Sequence, residues 1–260
     1  PVPTNVMGYQ EARTGESYAG VYCLFVPGSS LDYREYLQVR LSQEMVTGHR
    51  YVVSYWISLA ESISNSGVDQ MGVAFLPDSL EIVDYFYVLS DVEPQLETEA
   101  GSVFYDTENW VHISDTFESE GNERWMILGN FIPHTDMNNE IIGDTTLYGG
   151  LLSYYYYEDI CVLDLDSDSG AVGSQEVRLL ACGDTMVLYG RDPGDAYTWN
   201  NGDTTHFLTI IDSGTYWVKT IDLASCAVYV DTFIIQAEPT IRLPLDLGND
   251  TTLCTGDIIL

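Results

Sequence analysis

The stretch that decides the fold is Tyr154-Tyr155-Tyr156-Tyr157-Glu158-Asp159-Ile160-Cys161-Val162-Leu163. Its tyrosines and β-branched residues predict a long strand. The acidic run that follows, Asp164-Leu165-Asp166-Ser167-Asp168-Ser169-Gly170, is too polar for a core. We therefore expect a large β domain to close with this strand and a different domain to begin beyond the acidic run.

The composition predicts an all-β protein of two domains. The chain has 260 residues, of which 45% are hydrophobic and 19 are tyrosine, and this length exceeds the usual size of one domain. Short alternating segments are separated by Gly, Asn and Asp, and long helical stripes are missing. We expect a jelly-roll β-sandwich over 1–163, an acidic linker over 164–175 and a small Ig-like β-sandwich over 176–238.

The charge balance restricts the partners. The chain carries 40 acidic and 9 basic residues, a net charge of -31. Such a surface repels nucleic acid and anionic lipid and favours divalent cations, with solubility in a salty or calcium-rich exterior as the alternative explanation. No apolar run of 18 or more residues is present, so we expect neither a nucleic-acid partner nor direct membrane insertion.

The cysteines indicate an oxidising compartment. The five are widely spaced and none forms a C-x-x-C pair: Cys23, Cys161, Cys182, Cys226 and Cys254. In an acidic all-β chain this spacing is typical of structural disulfides. The chain begins at Pro1 without Met and stops at Leu260 in a predicted strand, so we expect an excerpt of a longer secreted or cell-surface protein.

Two further patterns concern packing and ligands. Segments 110–117 and 123–131 are predicted to pair around the turn Glu120-Gly121-Asn122, and the tryptophans of three alternating segments, Trp56, Trp110 and Trp125, are predicted to lie in the core. Candidate ligand contacts are loop residues, namely Tyr9, Gln10, Arg13, Tyr33, Arg34, Asn65, Asn138 and Asn139. Arg13 and Arg34 suit a carboxylate of a ligand or of the protein itself, and the internal ion pair is the favoured expectation.

Several blocks of the first region resemble, in order, a module common in Bacteroidetes secreted surface proteins. They are Gly8-Tyr9-Gln10, Ala12-Arg13-Thr14-Gly15, Tyr33-Arg34-Glu35-Tyr36-Leu37-Gln38, Tyr51 to Glu61, Ile127 to Phe131 and Tyr156 to Ile160. The resemblance implies a galactose-binding-like jelly roll of the carbohydrate-binding-module type over most of 1–163, lacking a further N-terminal strand segment. It also implies a structural calcium near the first and last strands, and a ligand surface on one concave face or at loop tips.

The acidic residues provide two candidate calcium sites. Glu158 and Asp159 stand where the resembled module has a last-strand ligand, although calcium needs about six to eight oxygens. Asp164, Asp166 and Asp168 match the first, third and fifth ligand positions of a calcium loop, but the later Gly and Glu positions of an EF-hand do not match. Calcium is the candidate cofactor at both places. The alternatives are solvated edge carboxylates at Glu158 and Asp159, and a charged, extended interdomain linker at 164–175.

The second region resembles the Ig-like or PKD-like repeats of the same proteins, which often precede a sorting domain for type IX secretion. The blocks are Ala181-Cys182-Gly183-Asp184, Tyr197-Thr198-Trp199, Ser213 to Val218 and Ser225-Cys226. The resemblance implies that Trp199 is the core tryptophan, that Tyr216 forms a tyrosine corner and that Cys182 pairs with Cys226. The end of the chain, 239–260, echoes 179–188 and is expected to begin another repeat containing Cys254. Cys23 and Cys161 then remain as the expected pair of the jelly roll, subject to their Cα separation.

No catalytic motif is recognisable. P-loop, G-x-G-x-x-G, H-E-x-x-H and G-x-S-x-G patterns are missing and the four histidines are scattered, so we predict no enzyme activity. The leading hypothesis is a non-catalytic extracellular binding or adhesion module that recognises a glycan or another surface ligand and is carried on an Ig-like repeat stalk. The alternatives are a self-associating building block of a stalk or filament, and accessory domains of an enzyme.

Overall fold

The computed structural model describes residues 2–28, 31–81, 87–168 and 171–239, and all regular structure in these ranges is β. The predicted all-β class is confirmed. The chain divides into two compact units, Pro1–Ser167 and Asp168–Leu260. No helix within the described ranges is long and apolar enough to span a membrane. The repeat predicted over 239–260, with Cys254, lies outside the described residues except for its first residue.

The first unit is a jelly roll. Its described strands are β1 (Thr4–Asn5), β2 (Gly8–Tyr9), β3 (Ala19–Pro27), β4 (Leu37–Arg40), β5 (Arg50–Leu59), β6 (Ser66–Val68), β7 (Met71–Leu76), β8 (Leu96–Glu97), β9 (Val111–Glu118), β10 (Trp125–Asn130), β11 (Asn139–Ile141) and β12 (Gly150–Asp164). One main sheet has the order β3-β12-β5-β9 and the other β4-β10-β7-β8. The pairs β3 with β12, β4 with β10, β5 with β9 and β7 with β8 nest inside one another along the chain, which is the winding of a jelly roll.

The decisive stretch forms most of β12, the strand between β3 and β5. Tyr155 and Tyr157 point into the core, where they are 0% and 2% exposed. The Tyr155 hydroxyl donates to the Phe104 carbonyl at 2.5 Å and accepts from the Val68 N–H at 2.9 Å. The hydroxyl can be buried at little cost because it both donates and accepts a hydrogen bond. Side chains alternate along a strand, so Tyr154 is directed to the outer face of the sheet.

The register along β12 shows that one predicted disulfide is wrong. Cys23 lies opposite the register shift between Ser153 and Tyr154, whereas Cys161 pairs with Ser54 further along the strand. Eight residues separate Ser153 from Cys161, which corresponds to about 25 Å of extended chain, and a disulfide needs Cα atoms within about 7 Å. Cys23 is accordingly a buried free thiol, while Cys161 is disulfide-bonded.

The predicted pairing of β9 with β10 is also wrong, because these strands lie in different sheets. The connecting turn has positive φ at Gly121 (92°) and Asn122 (73°). The buried carboxylate of Glu123 accepts from the Ser119 hydroxyl at 2.8 Å and from the Glu120 N–H at 3.0 Å. The turn signal was correct, but a turn fixes a change of direction and does not fix the partner strand.

The prediction that three tryptophans lie in the core is wrong, because in two of the strands the alternate residues face the core instead. Tyr55, the neighbour of Trp56, is 2% exposed and belongs to the core, and the same holds for Met126 beside Trp125. Alternation therefore turns both indoles to the outer faces of the sheets. Trp56, Trp110 and Trp125 are all only half-buried.

The second unit is a small Ig-like sandwich. Its described strands are β13 (Gln175–Leu180), β14 (Met186–Tyr189), β15 (Ala196–Trp199), β16 (Phe207–Ile210), β17 (Gly214–Asp222) and β18 (Ala227–Ala237). One sheet has the order β13-β18-β17-β15, with β13 parallel to β18, and the other is β14-β16. Side chains of both sheets meet in one core around Trp199, which is 1% exposed. The prediction of Trp199 as the core tryptophan is confirmed.

The predicted tyrosine corner is confirmed as well. The Tyr216 hydroxyl donates to the Asp212 carbonyl at 3.0 Å, four residues upstream, as in other Ig-like sandwiches. Cys182 and Cys226 are both disulfide-bonded. Their pairing with each other stays a prediction.

Candidate functional site

An aromatic patch lies on the outer face of the β3-β12-β5-β9 sheet, formed by Tyr22, Phe25, Tyr33 and Tyr154. Tyr22 of β3 faces Tyr154 of β12 across the ladder. Tyr33 extends the sheet edge, because its N–H and carbonyl exchange hydrogen bonds with Phe25 at 2.9 and 3.1 Å. The ring of Tyr22 is central, with centroids 4.9 Å from Tyr154, 5.7 Å from Tyr33 and 5.8 Å from Phe25.

Glu35 supplies a carboxylate at the border of the aromatic patch. It accepts from the Tyr33 hydroxyl at 2.8 Å and from the Tyr22 N–H at 3.1 Å. Burial, followed by the hydrogen bond to Glu35, raises the pKa of Tyr33 to about 12. Burial likewise raises the pKa of Tyr154 to about 12. Both phenols are therefore protonated at neutral pH. The Tyr33 O–H is donated to Glu35, so towards a ligand the Glu35 carboxylate is the acceptor at this border and the phenol oxygens are further polar partners.

This arrangement suits a ligand with apolar faces and polar edges. All four rings are half-buried, so the scaffold holds them while part of each remains accessible. Aromatic rings provide apolar contact at a low cost in conformational entropy, and phenols add directional hydrogen bonds. Pyranose rings have C–H faces and hydroxyl edges, which is the chemistry that such a surface complements.

Of the predicted ligand contacts, some lie in the aromatic patch and others do not. Tyr33 belongs to the aromatic patch. Gln10 and Arg34 are 6% and 3% exposed, so their side chains lie inside the first unit and outside the aromatic patch. A ligand contact by either residue stays a prediction. The Gln10 amide donates to the Ser58 hydroxyl at 2.6 Å. Tyr9 is 50% exposed but lies outside the aromatic patch, with its hydroxyl donating to Glu11 at 2.9 Å.

The remaining loop candidates form hydrogen bonds within the first unit or lie outside the aromatic patch. The Asn65 side chain is buried and donates to the Gly150 carbonyl at 2.9 Å. Asn138 donates to the Asp69 carboxylate at 2.7 Å. Asn139 is exposed in β11. Arg34 pairs with Asp32, as expected for an internal ion pair.

Arg13 contacts both Asp159 and Trp56, two residues that were considered separately in the sequence analysis. Its guanidinium forms an ion pair with Asp159 at 2.7 Å and lies 4.2 Å above the ring centroid of Trp56. The Glu158 carboxylate accepts from the Arg13 and Thr14 backbone N–H groups at 2.7 and 2.8 Å. The favoured expectation of an internal Arg13 ion pair is therefore met. A β-bulge makes the contacts possible, since Asp159 has a φ of 48° where the register shifts.

The three aspartates of the acidic run do not converge. Each is paired with a different basic side chain: Asp164 with His49 at 2.9 Å, Asp166 with Arg50 at 2.6 Å and Asp168 with Lys219 at 2.8 Å. Among the described residues, no group of three or more His, Cys, Asp or Glu side chains is arranged to hold a metal ion. Calcium binding stays a prediction.

Sequence reasoning missed three members of the candidate site, namely Tyr22, Phe25 and Tyr154, together with Glu35. A signal was present in the four consecutive tyrosines, because a strand of a two-layer sandwich directs every second side chain outward. The Tyr33-Arg34-Glu35 block carried the same information. Tyr33 and Glu35 point to one side of this segment, and Arg34 points to the other.

No protein-family model matches this chain, and no curated protein matches it. Among solved structures, it is similar to the CBM22-1 xylan-binding domain of Xyn10C from Paenibacillus barcinonensis, with 9% identity over 61% of this chain and 78% of the other and a TM-score of 0.32. It is also similar to the adhesin domain of Epf from Streptococcus pyogenes, with 13% identity over 80% and 73% of the two chains and a TM-score of 0.26. At these TM-scores the likeness carries no conclusion, and both fold and site stand on the residues described above.

Proposed function

We propose that the chain is a non-catalytic extracellular module that binds glycans through the aromatic patch, with the Ig-like unit as part of a stalk. The observation that carries the proposal is the cluster of four half-buried rings beside the Glu35 carboxylate on an open sheet face. The rings offer apolar contact, and the carboxylate and phenols offer polar partners for hydroxyl groups.

Two further properties support an extracellular location. Cys161, Cys182 and Cys226 are disulfide-bonded, and stable disulfides are rare in reducing compartments. The net charge of -31 is best tolerated where salt screens repulsion over about 8–10 Å.

One hydrogen-bonded Ser–His pair invites a catalytic interpretation. The Ser54 hydroxyl lies 2.7 Å from His112 Nε2. Ser54 is only 1% exposed, however, and a nucleophile must reach its substrate. The burial of Ser54 therefore argues against its acting as a nucleophile.

The glycan proposal is tested by binding to a glycan array, followed by calorimetry with any glycan retained. We expect Tyr33→Ala to weaken binding by about tenfold or more, because it removes one of the four rings and the hydroxyl that orients Glu35. The matched control is Tyr105→Ala, which removes a tyrosine that is 54% exposed outside the aromatic patch and is expected to bind normally. Equal effects of the two substitutions, or no glycan bound by the native chain, would refute the proposal.

A stalk or filament component is the second candidate function, favoured by an apolar surface on the Ig-like unit. Val177 and Leu179 of β13 are 55% and 56% exposed, and Trp217 of β17 is 38% exposed. Exposed apolar groups of this kind often mark protein contacts. Sedimentation of the native chain and of Leu179→Asp tests the idea. Assembly that Leu179→Asp abolishes supports it, and a monomer at every concentration refutes it.

A further inference from the structure

A second candidate site lies at the opposite edge of the first unit, between β8 and β9. There the two main sheets leave a cleft of about 530 Å³, which we call the edge cleft. Its floor consists of core side chains, including Tyr55, Met71, Val73 and Phe104. A volume of this size lies within the range of ligand sites in proteins, about 300–1,000 Å³. The edge cleft shares no residue with the aromatic patch.

The wall of the edge cleft is acidic. Glu97, Glu99 and Asp115 line it, and the described lining residues include no lysine or arginine. Burial raises the pKa of Glu97, and all three carboxylates are exposed at the rim of the edge cleft. A cationic group approaching the edge cleft would therefore be attracted by three carboxylates with no lysine or arginine beside them among the described lining residues.

Asp115 occupies an unusual position within β9. Its strand neighbours Ile113 and Phe117 pack against the core, and Asp115 shares their face because side chains alternate. It stands directly opposite the buried Val53 of β5. In the described structure its carboxylate is paired with no basic side chain, and it accepts only the neighbouring Thr116 N–H, at 2.7 Å.

The strand edge beside Asp115 has no partner strand in the described structure, and an added strand would take over the Thr116 N–H that Asp115 now accepts. β9 is the last strand of its sheet, and no described strand is hydrogen-bonded to its outer edge. The Thr116 N–H donates to Asp115 and thus points away from β5. In an antiparallel ladder the outward N–H groups recur at every second residue, so the Ser114 N–H points the same way.

We propose that the edge cleft binds an extended peptide as an additional strand beside β9, with one basic side chain placed against Asp115. Apolar side chains two residues before and after the basic one would face Ile113 and Phe117 and cover the floor. A second copy of this chain is disfavoured as the occupant, because both copies carry a net charge of -31 and present Asp115 and Glu118 at this edge. Strand addition to an open sheet edge is an established mode of peptide recognition.

A palindromic heptapeptide tests the proposal without an assumption about strand direction. The probe is acetyl-Thr-Val-Thr-Lys-Thr-Val-Thr-amide, and its control has Glu in place of Lys. In NMR titrations of the full chain, we expect the Lys peptide to shift the resonances of 113–117 and to slow amide exchange at Ser114 and Thr116. The Glu peptide should bind about tenfold more weakly, because an attractive pair is replaced by a repulsive one.

A charge-swap variant distinguishes binding at Asp115 from a general attraction of the basic peptide to the acidic chain. Asp115→Lys should prefer the Glu peptide, while Glu16→Lys, an equal charge change at an exposed loop residue outside the edge cleft, should keep the preference for the Lys peptide. Reversal by both variants or by neither, or unchanged exchange at Ser114 and Thr116, would overturn the proposal. Failure here leaves the glycan proposal unaffected, since the two surfaces are separate.

Discussion

Removing the Glu158 carboxylate should loosen the first unit at the point where its N-terminal segment is attached. Glu158 is 5% exposed and accepts two backbone N–H groups, those of Arg13 and Thr14. A hydrogen bond to a charged group contributes about 1.5–3 kcal/mol, so Glu158→Ala should cost about 3 kcal/mol after water replaces part of the loss. For a unit of this size, Pro1–Ser167, that corresponds to a decrease of about 6–12 °C in Tm.

The assay is thermal unfolding combined with amide hydrogen exchange. Glu158→Gln keeps one acceptor oxygen and should lose about half as much stability. Glu16→Ala removes an equal charge from an exposed residue of the same N-terminal segment and should leave Tm within about 1 °C. Exchange at Arg13 and Thr14 should accelerate most in Glu158→Ala, less in Glu158→Gln, and not in Glu16→Ala.

The same experiment, repeated with calcium and with a chelator, tests the predicted metal site. If hydrogen bonds alone hold the segment, Glu158→Ala has the same effect in both solutions. A decrease below about 2 °C would refute the magnitude derived from the hydrogen bonds. A decrease that disappears in chelator would refute their role and support calcium at Glu158 instead.

Three further outcomes are expected. Trp199→Ala should cost the Ig-like unit about 3–5 kcal/mol, because a large buried side chain leaves a cavity, and near-ultraviolet circular dichroism should show that unit unfolded. Burial raises the pKa of the Cys23 thiol to about 12, so iodoacetamide should label Cys23 only after unfolding, as read by mass spectrometry. The hydrogen bond from Arg50 lowers the pKa of Asp166 to about 2. Its contribution is therefore complete above the unfolded value near 4 and lost as pH falls toward 2, and Asp166→Asn should flatten the dependence of Tm on pH in that window.

Several features of the fold could be predicted from the sequence. The long strand β12 was predicted from its own residues, and the Trp199 core position and the Tyr216 corner were implied by the resemblance to Ig-like repeats. All three are present. The Arg13 ion pair was the favoured expectation as well, although its partner Asp159 was assigned to calcium. That partner depends on a β-bulge, and one extra residue in a strand leaves little trace in a pattern of period two.

What could not be predicted depends on register and on sheet membership. The Cys23–Cys161 pair failed because register decides which residues of β3 and β12 are neighbours. The tryptophan prediction failed because the identity of one residue does not set the phase of its strand. The aromatic patch needed both kinds of information, since Tyr22 and Tyr154 meet only in the assembled ladder.

The position of β12 has a consequence for how the chain is made. Val21 of β3 pairs with Tyr155 of β12, a separation of 134 residues (155 minus 21). At a synthesis rate of about 5–20 residues per second, β3 emerges roughly 7–27 seconds before its central partner exists. During that interval β3 and β5 cannot be joined through β12, and their apolar faces remain uncovered. The order of the strands in this sheet therefore makes its completion depend on the last strand of the unit to be synthesised, which ends at Asp164.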